Sequence, residues 1–367
     1  MKNFIYISLM GWLLFACTPK KSEFFTEKDG WVHFTKPTYH FDSYSTSITV
    51  DSIIFSLPNK AGELPILISA DSHNFYIYNK NQHEIIGFDK ENHLESIRFR
   101  IPGERWIQSA FFKDSLCYAQ SESAFILFNK LGQIIEETPL QESSTLLYSN
   151  VNELPAIQHN NSHFIYAYNQ KDAFRSPAYY DHNWVHLFSP NSKEITSLDL
   201  RYPDYFKKYM MGLSDVPYIS KINTFILYGF SGDPNFYVYD LEKKNQKTYL
   251  GSSSYSEARF PIIARDSTNN INDLMKVSAH LDIYKTMVYD PINDVYLRSV
   301  SVANGNPAES KTYMQFFNHK FELIGEPELK EKTGKYLFTD GKIYYTRSYT
   351  DSTLSLYALT PTVQKKS

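Results

Sequence analysis

Cysteine is scarce in this chain, with only Cys17 and Cys117 among 367 residues. So few thiols exclude a cysteine-rich metal site. Cys117 lies in the apolar, strand-like run Ser115–Tyr118, a setting that predicts a buried, unreactive thiol rather than a nucleophile. Because Cys17 is assigned below to a lipid anchor, Cys117 has no partner for an internal disulfide.

Signatures of catalysis and of cofactor binding are also missing. The sequence contains no Gly-x-Ser-x-Gly elbow, no glycine-rich phosphate loop and no dinucleotide-binding fingerprint. Carboxylates are plentiful, but a sequence does not show which two lie close enough together for glycoside hydrolysis. We therefore predict no catalytic residues and no cofactor.

Two histidine pairs have the spacing of a metal site without its setting. His182 and His186 lie on a predicted strand, where four residues span about 13 Å and one ion cannot reach both rings. His159 and His163 flank a predicted turn, and no further ligand accompanies them. The oxygen-rich segment around Asp290 does not match the twelve-residue calcium loop, and Asp and Asn side chains commonly stabilise turns. No metal site is predicted.

Neither sign of charge dominates the chain. It has 37 Lys and Arg against 40 Asp and Glu, a net charge of −3. Because no block of basic residues occurs, nucleic acid is not an expected partner. Aromatic residues are abundant instead, with 29 Tyr and 26 Phe against 14 Gly, and such enrichment favours half-buried strands over helices.

The first 17 residues predict a bacterial lipoprotein signal peptide. Lys2 supplies a positive charge, Phe4–Ala16 is almost entirely apolar, and Ala16 directly precedes Cys17. Cleavage would leave Cys17 as a lipidated N-terminus. The alternative is an uncleaved anchor helix, but this apolar run falls short of the roughly 20 residues that span a bilayer. The polar segment Thr18–Gly30 predicts a flexible tether.

The lipid anchor predicts a location and a set of partners. The expected location is the bacterial cell envelope, with the protein anchored by lipid to the outer membrane and facing the periplasm or the exterior. The predicted partners are that membrane, through the lipid on Cys17, and a protein, a peptide or a glycan.

A hairpin pattern recurs along the chain. Each copy is an alternating aromatic and aliphatic run, followed by a polar turn and in most copies by a second apolar run. The copies begin with residues 75–79, 125–129, 184–189, 236–240 and 314–318. The turn positions 79, 129, 189 and 240 are 50, 60 and 51 residues apart. A period near this length, with several strands in each unit, indicates a β-propeller.

A second pattern falls between the hairpins and places a proline where an inner strand would begin, a position that needs no hydrogen-bond donor. On this basis the blades of the propeller begin near residues 63, 104, 153, 215 and 259. The C-terminal region supplies three more strands, and the alternating N-terminal segment Ser47–Leu57 supplies the fourth. The prediction is an all-β, six-bladed propeller over residues 31–360, closed by an N-terminal strand, with a tail at 361–367. A two-domain β-sandwich is the alternative.

Several of these segments resemble a known family. They are the lipoprotein start, the Tyr-Ile-Tyr-Asn hairpins, Val288–Pro291 leading into Asp294–Arg298, and Phe321–Glu326. Together they are similar to the bacterial lipoprotein family called domain of unknown function 4221, which is related to TolB-like six-bladed propellers. The resemblance implies fold and location, and it brings no catalytic residues.

Two candidate ligand sites follow from this arrangement. The inner-strand starts would place a mixed-charge ring at one mouth of the central channel, made of Glu63, Glu104, Glu153, Asp215 and Arg259, with Lys335. The alternative is that these are solvated charges at strand ends. The second site is the loop 172–182, where Arg175, Tyr179 and Tyr180 suit the recognition of sugars or peptides. The alternative there is a loop that packs its own aromatic rings.

The leading functional prediction is a membrane-anchored recognition or scaffold module that is not an enzyme. The alternative is a propeller enzyme that acts on glycans through the carboxylates of the channel mouth.

Overall fold

Strands dominate the computed structural model. It describes residues 24–366 apart from 57–64, 105, 114–115, 122–123, 141–145, 149–154, 170–175, 213, 264–270, 304, 307–308, 331–335 and 350–352. Within these residues no helix is long and apolar enough to cross a membrane. The lipidation site Cys17 and the preceding signal sequence lie outside the described residues.

Short strands follow one another along the described chain, with few helices between them. The strands are β1 (Phe25–Lys28), β2 (Trp31–Phe34), β3 (Tyr44–Ser56), β4 (Ile66–Ala70), β5 (Asn74–Asn79), β6 (Glu84–Asp89), β7 (Glu95–Arg100), β8 (Ile107–Lys113), β9 (Leu116–Ser121), β10 (Ala124–Asn129), β11 (Ile134–Pro139), β12 (Leu146–Tyr148), β13 (Gln158–His159), β14 (Ser162–Asn169), β15 (Val185–Ser189), β16 (Glu194–Ser197), β17 (Pro217–Ile222), β18 (Phe225–Phe230), β19 (Phe236–Asp240), β20 (Asn245–Tyr249), β21 (Arg259–Pro261), β22 (Ile283–Tyr284), β23 (Val288–Asp290), β24 (Val295–Val302), β25 (Lys311–Phe317), β26 (Leu323–Gly325), β27 (Glu328–Leu329), β28 (Tyr336–Thr339), β29 (Lys342–Tyr349) and β30 (Thr353–Lys365). The helices are α1 (Tyr205–Lys208), α2 (Ile271–Ser278) and three 3₁₀ turns, Phe41–Ser43, Pro102–Glu104 and Ala178–Tyr180.

The described strands form antiparallel sheets that mostly follow the chain. Sheet 1 is β4–β7, sheet 2 is β8–β11, sheet 3 is β12–β16, sheet 4 is β17–β20 and sheet 5 is β22–β27. Sheet 6 has the order β28-β29-β30-β3, and a three-stranded accessory sheet has the order β1-β2-β21. Sheets built from neighbouring strands of the chain need only short turns.

Sheet 6 joins the two ends of the described chain. Strand β3 pairs with β30 along its full length, from Tyr44 opposite Lys365 to Ser56 opposite Thr353. The predicted N-terminal segment therefore contributes a strand next to the C-terminal strands, as far as Ser56; Leu57 lies outside the described residues. The pairing covers an edge of β30 that would otherwise be open to other chains.

The predicted hairpins are confirmed, and three of their turns, after Asn129, Asp240 and Asn318, share one kind of hydrogen bond with the turns after Asp89 and Asp290. The side-chain oxygens of Asp89, Asn129, Asp240, Asp290 and Asn318 each accept a hydrogen bond from the backbone N–H two residues later. This local bond fixes the chain reversal without any distant contact. The Asp and Asn residues that end the alternating runs are therefore turn formers.

Buried clusters connect each sheet with the next. Tyr76 of sheet 1 stacks on Phe112 of sheet 2, with ring centroids 3.7 Å apart. Val185 of sheet 3 and Phe230 of sheet 4 share the largest cluster. Further clusters join sheets 2 and 3, sheets 4 and 5, and sheets 5 and 6. Phe55 of β3 packs on Phe88 at 4.7 Å and so joins sheet 6 to sheet 1.

One predicted inner strand is wrong. Arg259–Pro261 was expected to begin a blade, but it forms β21 and pairs with Trp31–His33 of β2 in the accessory sheet. The first strands of sheet 5 are instead β22 and β23. The pattern with a proline at the start of a strand is a local property. It does not distinguish an inner strand from a short strand that pairs with the N-terminal segment.

Candidate functional site

The first strands of sheets 3 to 6 surround a cavity of about 940 Å³. Its lining consists of residues 155–158, 216–223, 231, 284–286, 288–289, 291–292 and 337–341. These segments contain all of β17 and parts of β13, β22, β23 and β28. Each of these sheets therefore contributes its inner edge to the cavity.

The first strand of each of these sheets can line the cavity because it pairs with another strand on one side only. Strand β17, for example, pairs with β18 and with no other described strand, so its second edge faces the cavity. It begins at Pro217, and a proline is tolerated there because no donor is needed at the start of an edge strand. Pro65 likewise directly precedes β4. The proline outline thus correctly predicts two first strands.

Apolar side chains form most of the cavity wall. Ile222, Val288 and Phe338 come from sheets 4, 5 and 6, and Ile157 directly precedes β13 of sheet 3. Such walls bury the apolar part of a ligand, while a few polar groups orient it.

Ser220 supplies one polar group in this wall. Its hydroxyl oxygen is buried and makes no hydrogen bond within the described part of the chain. A buried hydroxyl without a partner is costly, so a ligand that hydrogen-bonds to it would gain affinity.

Two lysines give the cavity a positive charge. Lys221 is the fifth residue of β17, and Lys285 directly follows β22. Burial lowers the pKa of both amines, because it disfavours the charged form. No carboxylate of the described residues lies within 4.0 Å of either ammonium group. The acidic lining residue Asp340 is paired with Lys90 at 2.6 Å, so it does not neutralise them.

The described members of the predicted charged ring do not form a ring at the cavity. Asp215 is buried and accepts a hydrogen bond from the hydroxyl of Tyr180 at 2.6 Å. Arg259 contacts the ring of Trp31 and pairs with Glu257. Neither lines the cavity. Glu63, Glu153 and Lys335 lie outside the described residues, and of Glu104 only the backbone is described, at the end of a 3₁₀ turn.

The second predicted site differs from the expectation of exposed tyrosines. Tyr179 and Tyr180 form a 3₁₀ turn, and only 8% and 1% of their surfaces are exposed. Tyr180 packs against Tyr202 and Phe206. The loop thus packs these two aromatic rings inward, which was the alternative interpretation. Arg175 lies outside the described residues.

The two cavity lysines were missed at the sequence level. The available signal was a lysine within a short, otherwise apolar or small-residue first strand, as in Tyr218–Ile222 and Ile283–Thr286. A single such lysine is common at strand ends. The common cavity becomes visible only when the sheets are assembled.

A buried arginine holds the cavity wall between sheets 4 and 5. Arg298 is fully buried and donates to the side-chain oxygen of Gln315 at 2.8 and 3.0 Å, and to the carbonyl of Gly251 at 2.6 Å. It also donates to the hydroxyl of Tyr218 at 3.0 Å and lies 4.4 Å from the ring of Tyr284. Both tyrosines line the cavity. Because a guanidinium presents several fixed donors, one residue positions two parts of the wall.

Buried carboxyl groups surround this arginine network. Burial raises the pKa of Asp233 and of Asp282 to about 6 and also raises the pKa of Glu326. Asp233 accepts from the hydroxyl of Tyr237 at 2.7 Å, and Glu326 accepts from Gln315 at 3.0 Å. These hydrogen bonds connect the carboxyl groups to neighbouring side chains of the fold. None of them lines the cavity.

A second cavity of about 500 Å³ lies beside α1 and is lined by Phe25, Tyr205, Lys208 and Tyr237, among others. Its lysine is already paired with Glu27 at 2.6 Å. The larger cavity is therefore the better candidate for binding a charged ligand.

The antiparallel sheets, each packed on the next through a buried cluster, have the architecture of a β-propeller. The chain belongs to the family described as Domain of unknown function (DUF4221), whose model matches residues 38–328. A DUF4221 member from Bacteroides vulgatus ATCC 8482 is 15% identical, with a TM-score of 0.63 over 89% of this chain and 100% of that one. A "Putative exported protein" from Bacteroides fragilis NCTC 9343 is 12% identical, with a TM-score of 0.51 over 87% and 96%. No curated protein sequence matches the chain.

Proposed function

We propose that the protein is a six-bladed propeller in which sheets 1 to 6 are the blades and β3 closes the ring. The buried clusters support this count, because each sheet shares one with the next and Phe55 joins sheet 6 to sheet 1. Contacts of β4 with both β8 and β28 support a central position for the first strands.

We propose that this propeller recognises a small ligand in its central cavity and that it performs no chemistry on it. The observation that carries the proposal is the cavity itself. Its volume of about 940 Å³ lies within the range of about 300–1,000 Å³ that is typical of ligand pockets. Apolar walls with the unpaired hydroxyl of Ser220 and two lysines have the composition of a binding site. A peptide or glycan segment of matching size fits the same proposal.

The test is a ligand-observed NMR screen of a fragment library. Ser220→Trp fills part of the cavity, and its matched control is Leu131→Trp, at a position that is 71% exposed and outside the lining. We expect fragments that bind the wild type and the control but not Ser220→Trp, with unchanged circular dichroism for all three proteins. A library in which no fragment distinguishes the variants would refute recognition in this cavity.

We further propose that the propeller is a lipoprotein of the cell envelope, with a lipid on Cys17 and a tether at 18–30. The support is the pattern of charge, apolar run and cysteine at the N-terminus. The "exported" description of the Bacteroides fragilis protein is consistent with it.

A further inference from the structure

We infer that the ligand of the central cavity is an organic anion with an apolar body, that its acid group pairs with Lys285, and that Lys221 adds positive charge to the same cavity. This inference rests on the proposed recognition function and adds the chemical class of the ligand. The size of the cavity alone would suit many small molecules, so we infer the class of ligand from the charge of the lining residues.

Lys285 is the main cationic group of the proposed site. It lies where β22 ends and the lining continues towards β23, and its backbone N–H is held by the carbonyl of Ser299 at 3.0 Å. Its side chain is half-buried, and burial lowers the pKa of its amine. An ammonium group that is partly removed from water and has no counter-charge is unfavourable. An acid group of a ligand would supply that counter-charge in a medium where the attraction is strong.

Lys221 adds charge from the neighbouring sheet. It lies one residue before the end of β17, close to the turn at the cavity's edge; burial, and then the charge of Lys221, lowers the pKa of His159. The acid that lines the same cavity, Asp340, is already bonded to Lys90. The described lining therefore carries two free positive charges and one neutralised negative charge.

The remaining lining sets the character of the rest of the ligand. Val216, Ile222, Val288 and Ile292 add apolar surface to the same lining. A fully hydrophilic anion would desolvate this surface without gain, whereas an anion with an apolar body gains from covering it. A cation is disfavoured by both lysines. Among the described residues no cluster of acidic, histidine or cysteine side chains offers a metal site either.

The experiment compares two isosteric probes, naphthalene-2-carboxylate and naphthalene-2-carboxamide, by calorimetric titration of the full-length protein. The detergent blank is subtracted, and every variant is measured in the same detergent. We expect the carboxylate to bind at least about tenfold more tightly, because a charge-assisted bond is roughly twice as strong as a neutral one. Equal affinity of the two probes in the wild type would overturn the inference.

Variants of the two cavity lysines test whether these residues cause the preference for the carboxylate. Lys285→Met keeps length and apolar character, and we expect it to lose about tenfold in carboxylate affinity while carboxamide affinity stays unchanged. Lys285→Arg should restore the preference, Lys221→Met should lose part of it, and Lys130→Met, on the exposed turn between β10 and β11, should lose none. A carboxylate preference that persists in Lys285→Met contradicts the inference.

The same titrations separate the inference from the function on which it rests. If both probes bind equally and Ser220→Trp abolishes both, the cavity recognises ligands but does not select anions. If neither probe binds, or if Ser220→Trp leaves both affinities unchanged, the recognition function fails together with the inference.

Discussion

Asp233 links the stability of the fold to pH. It is fully buried, and burial raises the pKa of its carboxyl from 3.8 to about 6. Between these two values the folded state binds more protons than the unfolded state, so the free energy of unfolding falls as the pH rises. The contribution is fully present below pH 4 and is lost as the pH rises through 6. A shift of about two pKa units corresponds to a change of roughly 3 kcal/mol in the free energy of unfolding.

The prediction is that Asp233→Asn removes this dependence. Urea unfolding at pH 4.5, 5.5 and 6.5 should show the wild type losing stability relative to the variant as the pH rises. Asp29→Asn is the control, since the Asp29 side chain is 82% exposed, and it should follow the wild type at every pH. A wild-type minus Asp233→Asn difference that does not change between pH 4.5 and 6.5 would show that Asp233 does not titrate in this range.

At the scale of elements, the β3–β30 pair is the most consequential contact. We predict that Thr49→Cys with Thr360→Cys, which lie opposite each other, forms a disulfide that stabilises the protein by up to about 5 kcal/mol, because it closes a very long loop. The buried Cys117 should not exchange with it. Unfolding by urea with and without reductant measures the gain.

The matched control is a disulfide within one hairpin, Leu187→Cys with Thr196→Cys, also opposite residues. Its short loop should give only about 3 kcal/mol by the same relation. If the long-loop disulfide fails to form, or stabilises less than the control, β3 does not pair with β30 as described.

The elements also show how far the sequence alone could lead. The hairpins were predictable because alternation and an Asp or Asn turn are local properties, as at Asn129 and Asp240. The partner of Arg259–Pro261 was not, because it lies near the other end of the chain in β2. Lys221 and Lys285 meet one cavity only through the arrangement of two sheets, and no local pattern encodes that arrangement.

At the scale of the whole molecule, membrane attachment is the property to test. We predict that cells fed an alkyne-tagged fatty acid label the wild-type protein and that Cys17→Ser abolishes the label. Cys117→Ser is the matched control and should remain labelled, because its thiol is buried and not a lipid acceptor. Labelling of Cys17→Ser at the wild-type level would contradict the proposed anchor.

The pairing of β3 with β30 also sets the order in which the molecule can be completed. Strands β3 and β30 lie near opposite ends of the described chain, so sheet 6 stays one strand short until these two distant strands meet. Contacts between such distant parts of a chain form slowly. During that interval β3 is an open edge with exposed Val50 and Ile54. A chain in which β3 has not yet met β30 is therefore prone to associate with its own copies through this edge.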